Sequence, residues 1–284
     1  MTDSQPLNAG RLSADDSSAD NRAYTIEQAL ENLQQTADPS ARYYAAWWIG
    51  RFRVNNPVAI EALLQALEDE SDRSPDGGYP LRRNAAKALG KLGDLRGIPG
   101  LIKALDCSDY YVRESVAQAL EMLGDPRGIP PLVKLLDGGV EKAQQVEGKP
   151  HLVEPYEAIL EALGTLQATE FVSLIEPFLE HVVEKVQYAA ARAMYQLTGE
   201  ASYAQRLVTA LQGKDLQLRR SAMMDLGAIG YVDGCEAIAN TLAENSLKLI
   251  ALKGILEHHL TNQSSQLELS SESIRIMKLM DELL

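Results

Sequence analysis

In RYYAAWWIGRF (42–52), Tyr43, Trp47 and Arg51 recur every four residues with Tyr44 beside the first, so one helical face would carry aromatic rings that end in a guanidinium. The chain has 6% aromatic residues and only two tryptophans, both in this stretch. The chemistry such a face offers is binding: flat rings cover a conjugated surface or a partner, and an arginine fork takes carboxylates in pairs. Groups for covalent catalysis are sparse. Cys107 and Cys235 are too far apart for a CxxC site and have no evident activating base beside them, so they read as free thiols that carry nothing covalently. His151, His181, His258 and His259 show no metal-ligand spacing, and no metal site is expected. SxxK, GxSxG, HExxH and phosphate-loop patterns are absent.

Charge narrows the partners. A formal net charge of -13 over 284 residues repels a polyanion, which excludes nucleic acid as an expected partner. No stretch approaches the roughly 18 apolar residues of a membrane span. The first residues, MTDSQPLNAGRLSADDSSAD, lack an apolar signal segment and are acidic, so a disordered arm over 1–23 and a cytoplasmic location are expected.

The elements that position the aromatic face come from repetition. LRRNAAKALGKLGDLRGIPGLIKALD (81–106) and VRESVAQALEMLGDPRGIPPLVKLLD (112–137) share 15 of 26 positions at an offset of 31. Each unit reads as an Ala/Leu helix, a Gly-Asp turn and a second helix opened by Ile-Pro. The last core residues of the Ala/Leu helices, Phe52, Leu92, Leu123, Leu166, Leu197 and Ile229, are separated by 40, 31, 43, 31 and 32. ESDRSPDGG (70–78) and GGVEKAQQVEGK (138–149) account for the two long intervals as surface-loop insertions. Six units and a degenerate seventh near 246–256 predict an all-α chain, an α-solenoid of six to seven helix pairs over 24–260.

Asp38, Asp109 and Asp215 each precede an arginine, Arg42, Arg113 and Arg219, by four, whereas Gly78 stands before Arg82. Aspartate is a good helix cap, and these arginines are expected to form a structural ladder more than a site. In register, Trp48 falls on core positions, while Tyr43, Tyr44, Trp47 and Arg51 fall on Arg83, Asn84, Lys87 and Lys91, which face solvent. Either an N-terminal helix over 24–35 covers the aromatic patch, or the patch holds a flat ligand or a partner.

RYYAAWWIGRFRV, GGYPLRRNAAKALGKLGD and YYVRESVAQALEMLGD resemble the E subunit of the heterodimeric E/F-type phycobilin lyases, whose helix-pair repeats are HEAT-like, over about residues 24–260, and within that family the branch that serves the phycocyanin α subunit. The resemblance implies an enzyme subunit that works with an F-type partner to attach phycocyanobilin, as substrate and not as cofactor, to a cysteine of the apo-phycocyanin α subunit, and also to remove or transfer it. It further implies that Tyr43, Trp47, Tyr79, Arg83, Tyr110 and Tyr188 lie along one concave groove; with Tyr44 and Arg51 they form the candidate bilin-binding set. The thiol nucleophile belongs to the client, so the subunit works by holding a flexible pigment in place. A non-enzymatic adaptor for phycobiliproteins and a lyase subunit for another bilin are the alternatives.

The C-terminal SSESIRIMKLMDELL (270–284) places Ile276, Leu279, Met280 and Leu283 on one stripe, which predicts an amphipathic helix after a polar tether at 261–270. It either packs on the last repeat or leaves to join the F-type partner.

Overall fold

The computed structural model describes residues 24–262 and 269–284; the acidic arm and most of the tether lie outside them. The helices run in chain order as α1 (Ile26–Gln34), α2 (Pro39–Arg51), α3 (Pro57–Leu67), α4 (Pro80–Leu92), α5 (Ile98–Ala104), α6 (Tyr110–Leu123), α7 (Ile129–Lys134) and α8 (Gly139–Lys142). They continue as α9 (Tyr156–Thr165), α10 (Val172–Ile175), α11 (Glu184–Thr198), α12 (Ala201–Ala210), α13 (Leu216–Ile229), α14 (Cys235–Asn240), α15 (Asn245–Asn262) and α16 (Ser271–Asp281). The expected α-solenoid is present. Helices α2, α4, α6, α9, α11, α13 and α15 stack side by side as one layer, and a second layer of mostly shorter helices follows behind them.

Small residues set which layer is the inner one. A Cβ built on Gly50 would stand 2.7 Å from the Ala88 Cα, one on Gly90 2.8 Å from the Ala119 Cα, and one on Gly164 2.7 Å from the Ala193 Cα. Backbones in this layer therefore touch at every such joint. Helices of the other layer meet far less, so the Ala/Leu layer has the shorter arc and lines the concave face.

Local chemistry starts these helices where the sequence places them. Asp38, Asp109 and Asp215 accept backbone N–H bonds in the first turns of α2, α6 and α13. Helix α4 has no side-chain cap of its own; instead the second oxygen of Asp109 accepts from the Tyr79 N–H at 2.8 Å, one repeat away.

Two expectations at the first repeat need correction. Trp48 is only half-buried and Phe52 is 60% exposed, whereas the equivalent Ala88 and Leu92 are buried. No inner helix precedes α2 among the described residues, so the edge that later repeats bury against their predecessor is left open here. The insertions also do more than loop over the surface: Asp72 is buried, and residues 144–153 fold back through a Gln145–Leu152 bridge onto the start of α6.

Helix α16 takes the outer position of the seventh repeat. Ile276 is fully buried, Arg275 pairs with Glu236 of α14 at 2.5 Å, and Asn245 of α15 donates to the Leu283 carbonyl at 2.8 Å. Truncation after Leu260 is therefore expected to lower the stability of the isolated chain by about 2 kcal/mol or more, since Ile276 alone accounts for 1.5–3 on burial. A urea titration checks this, and an unchanged midpoint would mean that α16 adds nothing to its own solenoid.

Candidate functional site

The arginine ladder is structural. Arg42 pairs with Asp69 at 2.7 Å and donates to the Leu33 carbonyl; Arg82 donates to the Asp69 and Glu68 carbonyls; Arg219 donates to the Gly213 and Leu242 carbonyls. Arg113 holds the second insertion through the Val153 carbonyl at 2.8 Å and Glu154 at 2.7 Å. These guanidiniums pin loops to helix starts and leave little for a ligand.

The aromatic set on α2 forms a lip at the end of the concave face. Tyr24 packs edge-on against Tyr44 and Trp48 at 5.4 and 5.2 Å, so the N-terminal segment covers one side of the cluster. Trp47 stays 42% exposed with Tyr44 5.5 Å away, and Arg51 is exposed at the helix end. Tyr43 is half-buried and its hydroxyl donates to Ser40. The cover is partial, and part of the face remains open.

The centre of the concave face is built by α4, α6, α9 and α11. Arg83 pairs with Asp109 at 2.9 Å and lies 4.5 Å above the Tyr111 ring. Although burial opposes it, the Tyr79 N–H and the Arg83 guanidinium hold the Asp109 carboxyl below the usual range. Tyr110 stacks on His151 at 4.2 Å and 15°, and Tyr111 lies edge-to-face with the same imidazole, ring centroids 5.8 Å apart. Two cavities open beside this stack. One, about 350 Å³, is lined by Tyr110, Glu114, His151, Glu157 and Lys185; the other, about 320 Å³, by Arg83, Tyr110, Tyr111, Lys149 and His151. Burial raises the Glu114 and Glu157 carboxyls above their ordinary values against the pull of Lys87, Arg83 and Lys185. Their charged forms lack solvation that a hydrogen-bond donor would restore.

The candidate residues thus separate. Arg83 and Tyr110 meet at the central cavities, and Tyr43, Tyr44, Trp47 and Arg51 share the lip. Tyr188 is half-buried on α11 at the register of Glu114 and Glu157. Tyr79 does not offer a groove surface: it is 8% exposed, with Arg73 and Arg82 4.5 and 4.3 Å from its ring. It stands at the N-cap of α4, where the chain has yet to enter the helical register that points later residues into the groove.

Sequence reasoning missed Glu114, Glu157, His151 and a buried hub. Arg192 of α11 contacts Glu121 of α6, Glu161 of α9 at 3.3 Å and Asp225 of α13 at 3.5 Å, four repeats joined by one guanidinium. Desolvation, with the other carboxylates adding to it, holds Glu161 and Asp225 above the ordinary carboxylate range. A signal existed: Asp225 occupies the frame position of Ala88, Ala119, Ala162 and Ala193, and Glu121 that of Gly50, Gly90 and Gly164. Charges at positions that most other repeats fill with alanine or glycine mark a joint with another purpose.

Stacked helix pairs with a chemically furnished concave face define a HEAT-type solenoid, and a family model for HEAT repeats matches residues 26–94 and 74–146. The chain is 67% identical over 266 residues to the phycocyanobilin lyase subunit alpha of Synechocystis sp. (strain ATCC 27184 / PCC 6803 / Kazusa), covering 93% of this chain and 98% of that protein. It is 43% identical over 227 residues to the bilin biosynthesis protein PecE of Nostoc sp. (strain PCC 7120 / SAG 25.82 / UTEX 2576), covering 80% and 85%. A solved structure of the complex of CpcE and CpcF of phycocyanin lyase from Nostoc sp. PCC7120 contains a chain 57% identical, with a TM-score of 0.86 over 98% of this chain and all of that one. The chain belongs to the phycocyanobilin lyase subunit alpha family. The family resemblance of the aromatic first repeat is borne out.

Proposed function

We propose that this chain is the alpha, E-type subunit of a phycocyanobilin lyase, which together with an F-type partner joins phycocyanobilin to a cysteine of the phycocyanin α subunit and also removes or transfers it. The relatives' names and the CpcE–CpcF complex support this reading. The observation that carries it in the molecule is the central concave site: an aromatic plane, Tyr110 on His151, beside two under-solvated carboxyls, Glu114 and Glu157, flanked by cations. A linear tetrapyrrole needs those three things. Its conjugated face suits the stacked rings, its pyrrole N–H donors suit Glu114 and Glu157, and its two propionates suit Lys87, Arg83 and Lys185. The thiol nucleophile comes from the client, and the subunit contributes position and shelter from side reactions. No helix among the described residues is long and apolar enough to cross a membrane.

Incubation with the F-type partner, apo-phycocyanin α subunit and phycocyanobilin tests the reading. A covalent coloured adduct that requires both subunits is expected. A partner complex that binds the client without forming adduct would point to an adaptor, and adduct with a different bilin alone to another lyase. Trp47→Ala is expected to slow ligation about tenfold, the equivalent of ~1.4 kcal/mol of lost contact, with little change in melting temperature. Ligation at the unaltered rate would assign the α2 lip to something other than pigment or client.

A further inference from the structure

We propose that His151 is the general base that takes the proton from the client's cysteine as its sulfur adds to the bilin, an inference that rests on the lyase reading. The ring is held on three sides. Its Nδ1 lies 2.8 Å from the Leu152 carbonyl oxygen, its face stacks on Tyr110, and the edge of Tyr111 closes a third side. The segment that carries it is itself braced. The Val146 N–H donates to the His151 carbonyl at 3.0 Å, and the Val153 N–H donates to the Gln144 carbonyl at 3.0 Å.

The hydrogen bond decides the tautomer. A carbonyl oxygen only accepts, so Nδ1 has to carry the hydrogen, and in the neutral imidazole the lone pair is then on Nε2. No protein group among the described residues hydrogen-bonds that nitrogen, and the ring lines both central cavities. His181 provides the contrast. Its Nε2 lies 2.7 Å from the Ala143 carbonyl oxygen and its Nδ1 accepts from the Val183 N–H at 3.0 Å, so both nitrogens are spent pinning the start of the insertion that presents His151. One histidine fastens the segment, and the other keeps a free base on it.

Charged groups face the ring from every element around it. Glu114 comes from α6, Glu157 from α9 and Lys185 from α11, while Arg83 of α4 and Lys149 of the insertion line the second cavity. Asp109 and Arg113 also line that cavity, but they are engaged with Arg83 and Glu154. Neither cysteine of the chain lies in these cavities; Cys235 is buried, and Cys107 lines a separate cavity with Arg82. The base is thus positioned for a thiol that arrives with the client.

The step balances. Nε2 takes the thiol hydrogen, the sulfur pair forms the C–S bond at the outer ethylidene carbon, and the displaced π pair moves to the adjacent ring carbon. That carbon takes a proton, so one S–H bond and one C=C π bond are replaced by one C–S and one C–H bond. No oxidant or reductant enters.

His151→Phe keeps a flat ring against Tyr110 and removes both nitrogens. In reconstitution with the F-type partner, apo-phycocyanin α subunit and phycocyanobilin, this variant is expected to bind the pigment with an unchanged absorption spectrum. It is expected to ligate at neutral pH at least about 100-fold more slowly. The deficit should shrink as pH rises toward the free thiol's pKa near 8.5, where thiolate forms without a base. His151→Gln also removes the base but loses the ring with it, so its ligation rate is read at saturating pigment; it serves if the phenylalanine variant does not fold. Ligation at the wild-type rate overturns the proposal, as does a deficit that is equal at every pH or that tracks lost pigment binding, since those assign the ring to positioning. Absence of adduct with the unaltered chain would instead remove the lyase reading itself.

Discussion

Arg192→Met is expected to destabilise the chain by about 3–5 kcal/mol at pH 8, the cost of removing one partner from a buried ion cluster. Among the described residues Arg192 is the only cation paired with Glu121, Glu161 and Asp225, and the side chains of Arg192 and Asp225 are 11% and 6% exposed. One Asp225 carboxylate oxygen and the Arg192 Nε have no hydrogen-bond partner among the described residues even in the intact hub, so the carboxyls are under-solvated before the charge is lost. Methionine fills most of the volume, which leaves electrostatics as the main change. The sign of the pH dependence follows from burial. Glu161 and Asp225 have folded-state pKa values above their unfolded ones, so the folded chain binds more protons than the unfolded chain over the interval between the two. Stability from this hub is therefore fullest below the unfolded carboxylate pKa near 4 and falls as pH rises until both groups ionise. Arg192→Met should steepen that fall, and adding Glu161→Gln should flatten it. Urea midpoints at pH 5.5 and 8 measure both effects; equal losses at the two pH values would show that the hub is held by packing alone.

Gly90→Val is expected to cost about 1–3 kcal/mol through overpacking and to slow ligation as well. Glycine inside a helix is ordinarily about 1 kcal/mol worse than alanine, so a side chain here should help α4 considered by itself. The joint reverses the sign. A Cβ at residue 90 meets the Ala119 Cα at 2.8 Å and its Cβ at 3.0 Å, and a helix backbone cannot yield as a flexible side chain can. Relief requires α4 and α6 to part. The Arg83–Asp109 pair and the Asp109 bond to the Tyr79 N–H span the same two helices, so the cavity beside Tyr111 would widen with them. Thermal melting and the reconstituted ligation rate check the two halves. Even Gly90→Ala should be destabilising, and a gain in stability would overturn the account of the joint.

How far the site was legible depends on the distance over which each determinant acts. Trp47, Tyr44 and Arg51 were found because they break the pattern of their own helix, at a spacing that sequence displays directly. Glu114 and Glu157 lie 43 residues apart across an insertion and look like ordinary solvent-facing acids until α6 and α9 are set side by side. His151 sits in a segment that departs from the repeat, and its partner Tyr110 is 41 positions away. The family resemblance implies Tyr79 in the groove, but the loop that carries it turns the ring between two arginines before α4 begins.

The amino-acid sequence by itself determined the all-α repeat, its period, the helix starts at Asp38, Asp109 and Asp215, and the family, because these rest on contacts within a few residues or on similarity along the chain. Only the tertiary structure decided which charges are desolvated, which cavities the insertions close and which histidine nitrogen is free. The physical reason is that burial and tautomer are set by neighbours from other repeats: one guanidinium collects carboxyls from three of them, and one backbone carbonyl fixes where an imidazole keeps its proton.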